Sequence, residues 1–320
     1  MATQQGMNFS GEMRERGFEI FEFDVTKKLD GKVIAGLQRL MTDEKVDILH
    51  THLSDATVNG SIAGWLSKVP TVATVHGMNL RWSYSLANHL ITVSERAKQH
   101  LVRQLIPARK ITAVYNSLPA SRQPSSMTST EAKERLGVSR DTLVLGTVSR
   151  ASYLKGIDTA IQAFALLKAE FPDAIFLMVG DGKNEAELKL LAKRLGVEDD
   201  FRFLGFRTDI PELLRAMDLF VFPSTMEAMG IALLEAMASG IPIVASNVGG
   251  IPEVVSSEVG LLVNARDPKP LAQACKKILS DAALARAMSN TGPRYIQERF
   301  SLESMVSGVE AVYEKMLQKR

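Results

Sequence analysis

Short apolar segments alternate with longer amphipathic segments along almost the whole chain, and this alternation constrains the fold more than any other feature. Runs such as TVATV at residues 71–75 and FLMVG at residues 176–180 have the length and composition of buried strands. Strands separated by helical stretches are typical of βα units, whose strands pair in parallel. The sequence therefore predicts an α/β protein with parallel sheets.

The pattern is interrupted once, by the Pro- and Ser-rich stretch LPASRQPSSMTSTE at residues 118–131, and it restarts at Leu143 with LVLGTVSR. Such a stretch is typical of a domain linker. We therefore expect two Rossmann-like domains facing a cleft, with ligands at the carboxyl ends of the strands. The predicted domains are 1–122 and 123–300, and a final helix at 301–320 is expected to pack back on the first domain. Before the linker, strands are predicted at 18–23, 46–50, 71–75, 90–93 and 110–114.

Composition limits the class of protein. The chain has 320 residues, 46% of them hydrophobic, which is enough for two ordinary cores. The single cysteine, Cys275, excludes a disulfide framework. The first ten residues lack the pattern of a signal peptide, and no apolar run reaches the length of a membrane span. We therefore expect a cytoplasmic protein.

Positive charge is concentrated in the first domain, where residues 1–122 carry 15 Lys and Arg against 11 Asp and Glu. Five cations with no acid between them lie on a predicted amphipathic helix at 94–110, namely Arg96, Lys98, Arg103, Arg109 and Lys110. This helix predicts peripheral contact with an anionic membrane, although a solvated helix face has the same pattern. No nucleic-acid-binding motif accompanies it, so we expect no nucleic-acid partner.

Two carboxylates lie in the otherwise small and apolar segment PSTMEAMGIALLEAMASGIPIVAS, residues 223–246. Glu235 is surrounded in sequence by apolar residues, and an unpaired buried carboxylate is costly. Glu227 precedes it by eight residues, so the two do not share one helix face. Free amides near Met229 and Gly230, at the start of the predicted helix, would attract a phosphate. The alternative is that Glu227 is an ordinary first-turn acid and Glu235 a paired structural carboxylate.

Cations follow the first strand of the second domain. Arg150 and Lys155 lie between the end of LVLGTVS and a predicted helix, an arrangement that suits a diphosphate, although surface cations are common. Gly180-Asp181-Gly182 follows the next strand, but the third glycine of a dinucleotide fingerprint is absent.

All five histidines lie in the first domain. His50 and His52 form HTH at a strand end, and His76 ends the strand TVATV. We find no third partner that would complete a metal site, so no metal is expected. His76 is placed where it would touch a substrate, although a single histidine at a strand end is more often structural.

The chain resembles the family-4 retaining glycosyltransferases. The E-x7-E spacing of Glu227 and Glu235, and the segments GTVSRASYLKG, IFLMVGDG, FLGFRTDIPELL and GLLV, occur in the order seen in that family's second domain. The block from Phe222 to Val255 is highly specific. In the first half, DILHTH, PTVATVHG and ITVSERAKQHL are similar to the family as well.

The resemblance implies a GT-B fold and transfer of a sugar, with retention, from a nucleotide diphosphate sugar to a glycan or lipid-linked acceptor in polysaccharide or lipopolysaccharide biosynthesis. No cofactor and no divalent metal are implied. Arg150 and Lys155 would neutralise the diphosphate leaving group, and Glu235 would bind the ribose hydroxyls. Glu227 would hold a sugar hydroxyl.

Further site residues are implied by the same resemblance. The anion site would be completed by the amides of Met229, Gly230 and Ile231. His76 would contact the donor sugar, and the backbone at Phe206 and Arg207 would meet the base. The implied catalytic residues are therefore Glu227, His76, Arg150 and Lys155.

The chain departs from the family pattern in two places. The usual E-G-F-G is here Glu227-Ala228-Met229-Gly230. Family members also open with a strand and a Gly-rich loop, for which MATQQGMNFSGEM shows no signal. We therefore expect an incomplete first domain, with the strand at 18–23 lacking a neighbour. A weak or silent nucleotide-sugar-binding protein is the alternative function, and a sugar phosphorylase is a more distant one.

Overall fold

The structure is a computed structural model that describes residues 1–4, 9–78, 81–118 and 122–318. It is an α/β protein with parallel sheets, as predicted. The chain forms two compact units, of which unit 1 is Met1–Val114 with Val306–Arg320, and unit 2 is Tyr115–Met305. The boundaries between the units therefore follow Val114 and Met305, whereas the predicted domain boundaries were 122 and 300.

Unit 1 alternates strands and helices. Its elements in chain order are β1 Ala2–Gln4, α1 Phe9–Glu15, β2 Phe21–Phe23, α2 Gly31–Asp43, β3 Leu49–His52, α3 Ser54–Ser67, β4 Thr71–Val75, β5 His89–Thr92, α4 Glu95–Arg103 and β6 Ile111–Ala113.

Unit 2 continues the alternation of strands and helices. Its elements are α5 Ser129–Arg135, β7 Val144–Val148, α6 Ile157–Leu167, β8 Ile175–Val179, α7 Glu185–Arg194, β9 Phe201–Gly205, α8 Ile210–Arg215, β10 Leu219–Phe222, α9 Ile231–Ala238, β11 Ile243–Ser246, α10 Ile251–Val254, β12 Gly260–Val263, α11 Pro268–Leu279 and α12 Ala282–Arg299. The last helix, α13 Leu302–Leu317, belongs to unit 1 from Val306 onwards.

The six-stranded sheet of unit 2 has the order β12-β11-β10-β7-β8-β9, and every ladder in it is parallel. This is the doubly wound order, in which β7 and β10 meet at the switch point and their following loops diverge to form a binding crevice. Strands covered on both faces must be continuously apolar, and LFVF of β10 is buried at each position. The rings of Phe176 and Phe201 stack at 4.4 Å between centroids within this core.

Unit 1 contains the parallel sheet β3-β4-β5-β6. The inner strand β4 is buried along its whole length, and α3 packs against β3, β4 and α2. From Val306 onwards α13 lies in the same unit, where the hydroxyl of Tyr313 is 2.5 Å from Nδ1 of His50.

The expectation that the strand at 18–23 lacks a neighbour is wrong, although β1 and β2 form a two-stranded sheet of their own. Ala2–Gln4 forms β1, which pairs in parallel with β2 through the register Ala2 to Phe21 and Gln4 to Phe23. The amide of Phe21 also donates to the carbonyl of Met1 at 2.8 Å. A three-residue strand is too short to produce an alternating pattern, so its backbone pairing is invisible in the sequence. The position expected for a Gly-rich loop, residues 5–8, lies outside the described residues.

The predicted basic helix at 94–110 is shorter than expected. Helix α4 ends at Arg103, Leu105 adopts a left-handed conformation with φ of 69°, and a separate 3₁₀ turn follows at Ala108–Lys110. Pro107 could not continue the helical hydrogen bonding. Leu105 is 80% exposed.

Candidate functional site in unit 2

Two loops at the switch point of the unit 2 sheet carry most of the predicted donor-binding residues. The loop after β7 contains Arg150 and Lys155, and the loop after β10 contains Glu227 and leads into α9. Because β7 and β10 are neighbouring parallel strands, both loops leave the same edge of the sheet. The loops also contact each other, since the amide of Thr225 donates to the carbonyl of Leu154 at 2.9 Å.

Lys155 and Glu227 form an ion pair in this crevice. Nζ of Lys155 is 2.5 Å from Oε2 of Glu227, and the two side chains are only 19% and 14% exposed. The same ammonium lies 5.6 Å from the ring centroid of Phe222. The structure thus brings together the residue predicted to meet the diphosphate and the residue predicted to hold a sugar hydroxyl.

Two glycines allow the close backbone contacts that position Lys155 and Glu227. Gly156, with φ of +66°, follows Lys155, and a Cβ atom there would lie 2.0 Å from the carbonyl oxygen of Pro223. Gly249, with φ of +52°, packs against the backbone of Glu227, where a Cβ atom would lie 1.8 Å from the carbonyl oxygen. Any larger residue would push either loop away, since such distances are far below van der Waals contact.

The start of α9 offers backbone donors. Gly230 has φ of +91° and precedes the first helical residue, Ile231. Within the described part of the chain, the amides of Met229, Gly230 and Ile231 have no hydrogen-bond acceptor. The side chain of Met229 is buried, and its sulfur accepts from the amide of Asn116 at 3.2 Å. The helix N-terminus therefore has the free amides and the partial positive charge that an anion requires.

Glu235 lies one turn inside α9 and is only 5% exposed. Burial raises the pKa of its carboxyl group, and the guanidinium of Arg122 partly counteracts that rise. Nε of Arg122 is 3.7 Å from Oε1 of Glu235. Arg122 was not predicted from the sequence, although a buried carboxylate requires a nearby cation.

Two buried serines near the same crevice were also missed. Ser224 follows β10 and is 1% exposed, and Ser152 lies between Arg150 and Lys155 and is 7% exposed. Neither hydroxyl oxygen has a hydrogen-bond partner among the described residues. Buried hydroxyls without a partner are costly, and a polar ligand is one means of satisfying them.

Phe206 and Arg207 follow β9, on the other side of β8 from the ion pair. Phe206 is 74% exposed, and Arg207 donates from Nε and Nη2 to the two carboxylate oxygens of Asp209 at 2.8 and 2.5 Å. Those hydrogen bonds lower the pKa of Asp209. The amide of Ala151 donates to the carbonyl of Asp181 at 2.8 Å, so the Gly180-Asp181-Gly182 loop supports the Arg150 loop.

His76 lies in unit 1, at the carboxyl end of β4. Its Nε2 atom is 2.9 Å from Nδ1 of His52, and the rings of His50 and His52 stack at 4.5 Å between centroids. Burial, followed by the neighbouring histidine, lowers the pKa of His76, and burial together with His52 and His76 lowers the pKa of His50 to about 4. The sequence placed His50, His52 and His76 at strand ends but did not predict that they form one cluster.

No set of three or more His, Cys, Asp or Glu side chains suited to holding a metal ion occurs among the residues described. In the same residues, no helix has both the length and the apolar character of a membrane span.

Comparison with protein families identifies the chain. Residues 128–295 match the model of the family described as "Glycosyl transferases group 1", and residues 10–122 match that described as "Glycosyltransferase Family 4". The first match alone covers more than half of the chain. The chain belongs to the group 1 glycosyl transferases.

Individual relatives of this glycosyltransferase act on different molecules. It is 30% identical to N-acetyl-alpha-D-glucosaminyl L-malate synthase of Bacillus anthracis, over 86% of this chain and 76% of that protein. It is 29% identical to UDP-Gal:alpha-D-GlcNAc-diphosphoundecaprenol alpha-1,3-galactosyltransferase of Escherichia coli, over 90% and 80%. The match to the lipopolysaccharide core mannosyltransferase LpsB of Rhizobium meliloti is 32% identical over 64% and 61%.

Solved structures agree with the fold. Alr3699/HepE of Anabaena, solved in complex with UDP and glucose, superposes with a TM-score of 0.85 at 25% identity, covering 98% of this chain and 90% of that one. A glycosyltransferase from Rickettsia africae superposes with a TM-score of 0.87 at 22% identity, covering 99% and 90%. The glycosyltransferase therefore has the two-domain GT-B fold of these proteins.

Proposed function

We propose that this glycosyltransferase moves a sugar from a nucleoside diphosphate sugar to a glycan or lipid-linked acceptor, with retention at the anomeric carbon and without a divalent metal. One observation carries the proposal. The Lys155–Glu227 pair, the free amides at the start of α9 and the buried Glu235 occupy the two loops and the helix that follow β7 and β10.

Each part of that arrangement matches one part of the donor. A ribose diol would donate two hydrogen bonds to Glu235 and satisfy a carboxylate that is otherwise buried beside a single cation. The diphosphate would accept from the amides of Met229, Gly230 and Ile231 and be neutralised by Arg150 and Lys155. Lys155 would then divide its interaction between the diphosphate and Glu227, which faces the sugar hydroxyls.

The transfer step breaks the bond between the anomeric carbon and the diphosphate oxygen, and the diphosphate leaves with the electron pair. The acceptor hydroxyl oxygen forms a new bond to the same carbon, and its proton passes to the departing diphosphate. Negative charge therefore grows on the diphosphate in the transition state. Preorganised cations and amides at that position would be the main source of rate enhancement.

The relatives suggest which donor to test first. Alr3699/HepE was solved with UDP-glucose, and the Escherichia coli relative uses UDP-Gal and an acceptor on diphosphoundecaprenol. We propose a UDP-hexose as donor. Location in the cytoplasm, expected from the single cysteine, and peripheral membrane contact by residues 94–110 are part of the same proposal.

A silent binding protein is the less favoured alternative, because part of its basis was a strand at 18–23 without a neighbour, and β2 pairs with β1. The deciding experiment is a thermal-shift panel of nucleotide sugars followed by a transfer assay with the stabilising donor and a synthetic polyprenyl diphosphate sugar. We expect stabilisation by UDP and its hexoses, and turnover that persists in excess EDTA.

Two variants complete this experiment. Lys155→Gln should abolish most turnover, whereas Lys193→Gln, an exposed lysine on α7, should retain it. Donor binding without transfer to any acceptor would favour the silent protein. If EDTA abolished turnover and magnesium restored it, the metal-free mechanism would be contradicted, but the proposed transfer reaction would not.

A further inference from the structure

Three imidazole rings of unit 1 lie on one face of its sheet. In the parallel ladder of β3 and β4, His50 is opposite Val72 and His52 is opposite Thr74. Residues two apart in a strand share a face with each other and with their ladder partners, so His76, two residues after Thr74, continues the row of His50 and His52. The rings of His50 and His52 stack at 4.5 Å between centroids, and those of His52 and His76 stack at 5.2 Å.

His50 supports this cluster, because both of its ring nitrogens are occupied. Its Nδ1 atom is 2.5 Å from the hydroxyl of Tyr313, and its Nε2 atom is 2.7 Å from the hydroxyl of Thr74. A neutral imidazole has one donor and one acceptor nitrogen, and two hydroxyls can satisfy both in either tautomer. Burial, followed by the charges of the other two histidines, lowers the pKa of His50 to about 4, so the ring is neutral at physiological pH. No nitrogen of His50 is left for a ligand.

His52 and His76 differ from His50, because each keeps one ring nitrogen free. Nδ1 of His52 is 2.9 Å from Nε2 of His76, a distance at which the two nitrogens share one hydrogen bond. Among the residues that the structure describes, Nε2 of His52 and Nδ1 of His76 have no hydrogen-bond partner. Partial burial lowers the pKa of both rings, so both are neutral at physiological pH.

Two neutral imidazoles joined by one hydrogen bond have coupled tautomers. If Nε2 of His76 donates, Nδ1 of His76 is bare and Nε2 of His52 carries a proton. If Nδ1 of His52 donates instead, Nδ1 of His76 carries the proton and Nε2 of His52 is bare. The pair therefore always presents one donor and one acceptor on its outer nitrogens. A neutral pair of this kind suits a hydroxyl group, which can donate or accept, better than it suits an anion.

The backbone that follows His52 is strained. Leu53 has φ of 70° and ψ of 161°, a conformation that is populated almost only by glycine. The side chain of Leu53 is 62% exposed, so its burial does not explain the conformation. Such strain persists only where the surrounding structure imposes it, and it is concentrated at binding and catalytic sites. The strain is an observation independent of the rings, and it marks the carboxyl end of β3 as a binding site.

We propose that His52 is a positioning residue for His76, and that the two imidazoles change tautomer together when His76 binds a hydroxyl group of the transferred sugar. The inference rests on the proposed function and on the predicted contact of His76 with the donor sugar. Without its neighbour, the ring of His76 could turn about its side-chain bonds, whereas the hydrogen bond to His52 and the ring stacking fix its plane. His52 is held in turn by the ring of His50.

The nitrogen resonances of the imidazoles test the coupling directly, because bare and protonated ring nitrogens have different chemical shifts. Full-length protein labelled with nitrogen-15 at histidine is measured alone, with UDP, and with the UDP-hexose that stabilises it most. Spectra of His52→Asn and His76→Asn assign the signals. We expect the UDP-hexose to shift Nδ1 of His76 and Nε2 of His52 in opposite directions, and UDP to shift neither.

Three spectroscopic results would overturn the proposal. The first is a shift at His76 without one at His52, because the tautomers would then be independent. The second is no shift at either ring when the UDP-hexose is bound. The third is an equal shift with UDP alone, because UDP lacks the sugar.

Substitutions at His52 measure its effect on transfer. His52→Ala removes the hydrogen bond to His76, whereas His52→Asn keeps a polar atom near the position of Nδ1. We expect His52→Ala to lower kcat/KM for the donor by about tenfold or more, and His52→Asn to remain within about threefold of the unaltered protein. The matched control is His100→Ala, on α4 outside the cluster, which should retain turnover.

A double-variant cycle determines whether His52 acts through His76. If it does, His52→Ala combined with His76→Ala should lose no more activity than His76→Ala alone, because His52 then has nothing left to position. Additive losses would overturn the positioning role. The side chain of His52 is exposed, so His52→Ala should change the free energy of unfolding little. A large fall in that free energy would assign His52 a structural role instead.

Failure of this inference is distinguishable from failure of the proposed function. If no nucleotide sugar stabilises the unaltered protein and none is turned over, the proposed function is contradicted, and this inference with it. If the donor binds and is turned over but His52→Ala is as active as the unaltered protein, only the inference is contradicted.

Discussion

Arg122 lies with Nε 3.7 Å from Oε1 of Glu235, and this ion pair joins the linker to the buried carboxylate of α9. The guanidinium is partly exposed, whereas Glu235 is nearly inaccessible to solvent. Burial raises the pKa of Glu235, and Arg122 limits the rise. Arg122 therefore favours the ionised form of Glu235, which is the form that would accept hydrogen bonds from both hydroxyls of the proposed ribose.

Arg122→Gln should change the pH dependence of UDP binding. Without the guanidinium the pKa of Glu235 rises further, so the carboxylate is protonated at a higher pH. As the pH is lowered, we expect the affinity of Arg122→Gln for UDP to begin falling at a higher pH than the affinity of the unaltered protein. At alkaline pH the two affinities should be similar. Calorimetry from about pH 5 to about pH 9 measures this shift.

Glu235→Ala should behave differently, because it removes the acceptor at every pH. We expect UDP affinity to fall by about tenfold to a hundredfold, corresponding to about 1.5–3 kcal/mol for a hydrogen-bonded charge. Glu258→Ala, at an exposed position of unit 2, is the control. Equal affinities of Glu235→Ala and Glu258→Ala in folded proteins would exclude Glu235 from the nucleotide site.

Replacing Arg150 and Lys155 by glutamine should weaken UDP binding far more than uridine binding if, as we propose, their charge neutralises the diphosphate. We expect a loss of at least about tenfold for UDP and less than about threefold for uridine. The measurement is competition calorimetry with both ligands. Equal losses for the two ligands would indicate that the cations support the fold of the loop instead.

Gly249→Ala should disturb the Glu227 loop specifically. Its Cβ atom would lie 1.8 Å from the carbonyl oxygen of Glu227, so the loop must move. Gly196 has a similar φ of +68° but open space around the added Cβ atom, so Gly196→Ala isolates the cost of the left-handed conformation, about 1–2 kcal/mol. We expect UDP affinity to fall about tenfold or more only in Gly249→Ala. Similar affinities of the two variants would contradict this placement of Glu227.

Acidification should destabilise unit 1. His50 has its pKa lowered from 6.5 to about 4, with its Nδ1 near the Tyr313 hydroxyl and its Nε2 2.7 Å from the Thr74 hydroxyl. Between those two pH values the unfolded chain binds a proton that the folded chain does not, so the free energy of unfolding falls as pH decreases. The loss is at most about 3 kcal/mol for His50, and His52 and His76 add to it in the same direction.

Urea unfolding followed by tryptophan emission measures this prediction, because both tryptophans report on unit 1. His50→Asn should flatten the dependence between pH 6.5 and about pH 4. His100→Asn, on α4 outside the cluster, should retain it. A dependence that survives His50→Asn unchanged would assign the acid sensitivity to other groups.

The periodicity of the sequence was sufficient to predict the α/β class, because the length and apolar character of a strand such as TVATV are local properties. Strand β4 has the predicted bounds. The first strand of the second half, β7, begins at Val144, next to the predicted restart of the pattern at Leu143. The apolar sequence neighbours of Glu235 likewise indicated a buried carboxylate, and Glu235 is buried on α9. Such features depend on residues that are near one another in the chain.

The tertiary structure decided everything that required distant residues to meet. Strand β1 forms because Ala2–Gln4 hydrogen-bonds to the backbone of Phe21–Phe23. Backbone pairing of this kind does not depend on an alternation of side chains, so the sequence pattern does not indicate it. Lys155 and Glu227 meet only because β7 and β10 are neighbours in the sheet. The cation beside Glu235 is Arg122, from a linker with no regular pattern. Periodicity encodes which face of an element is buried, whereas the partner of each charge depends on how the elements are packed.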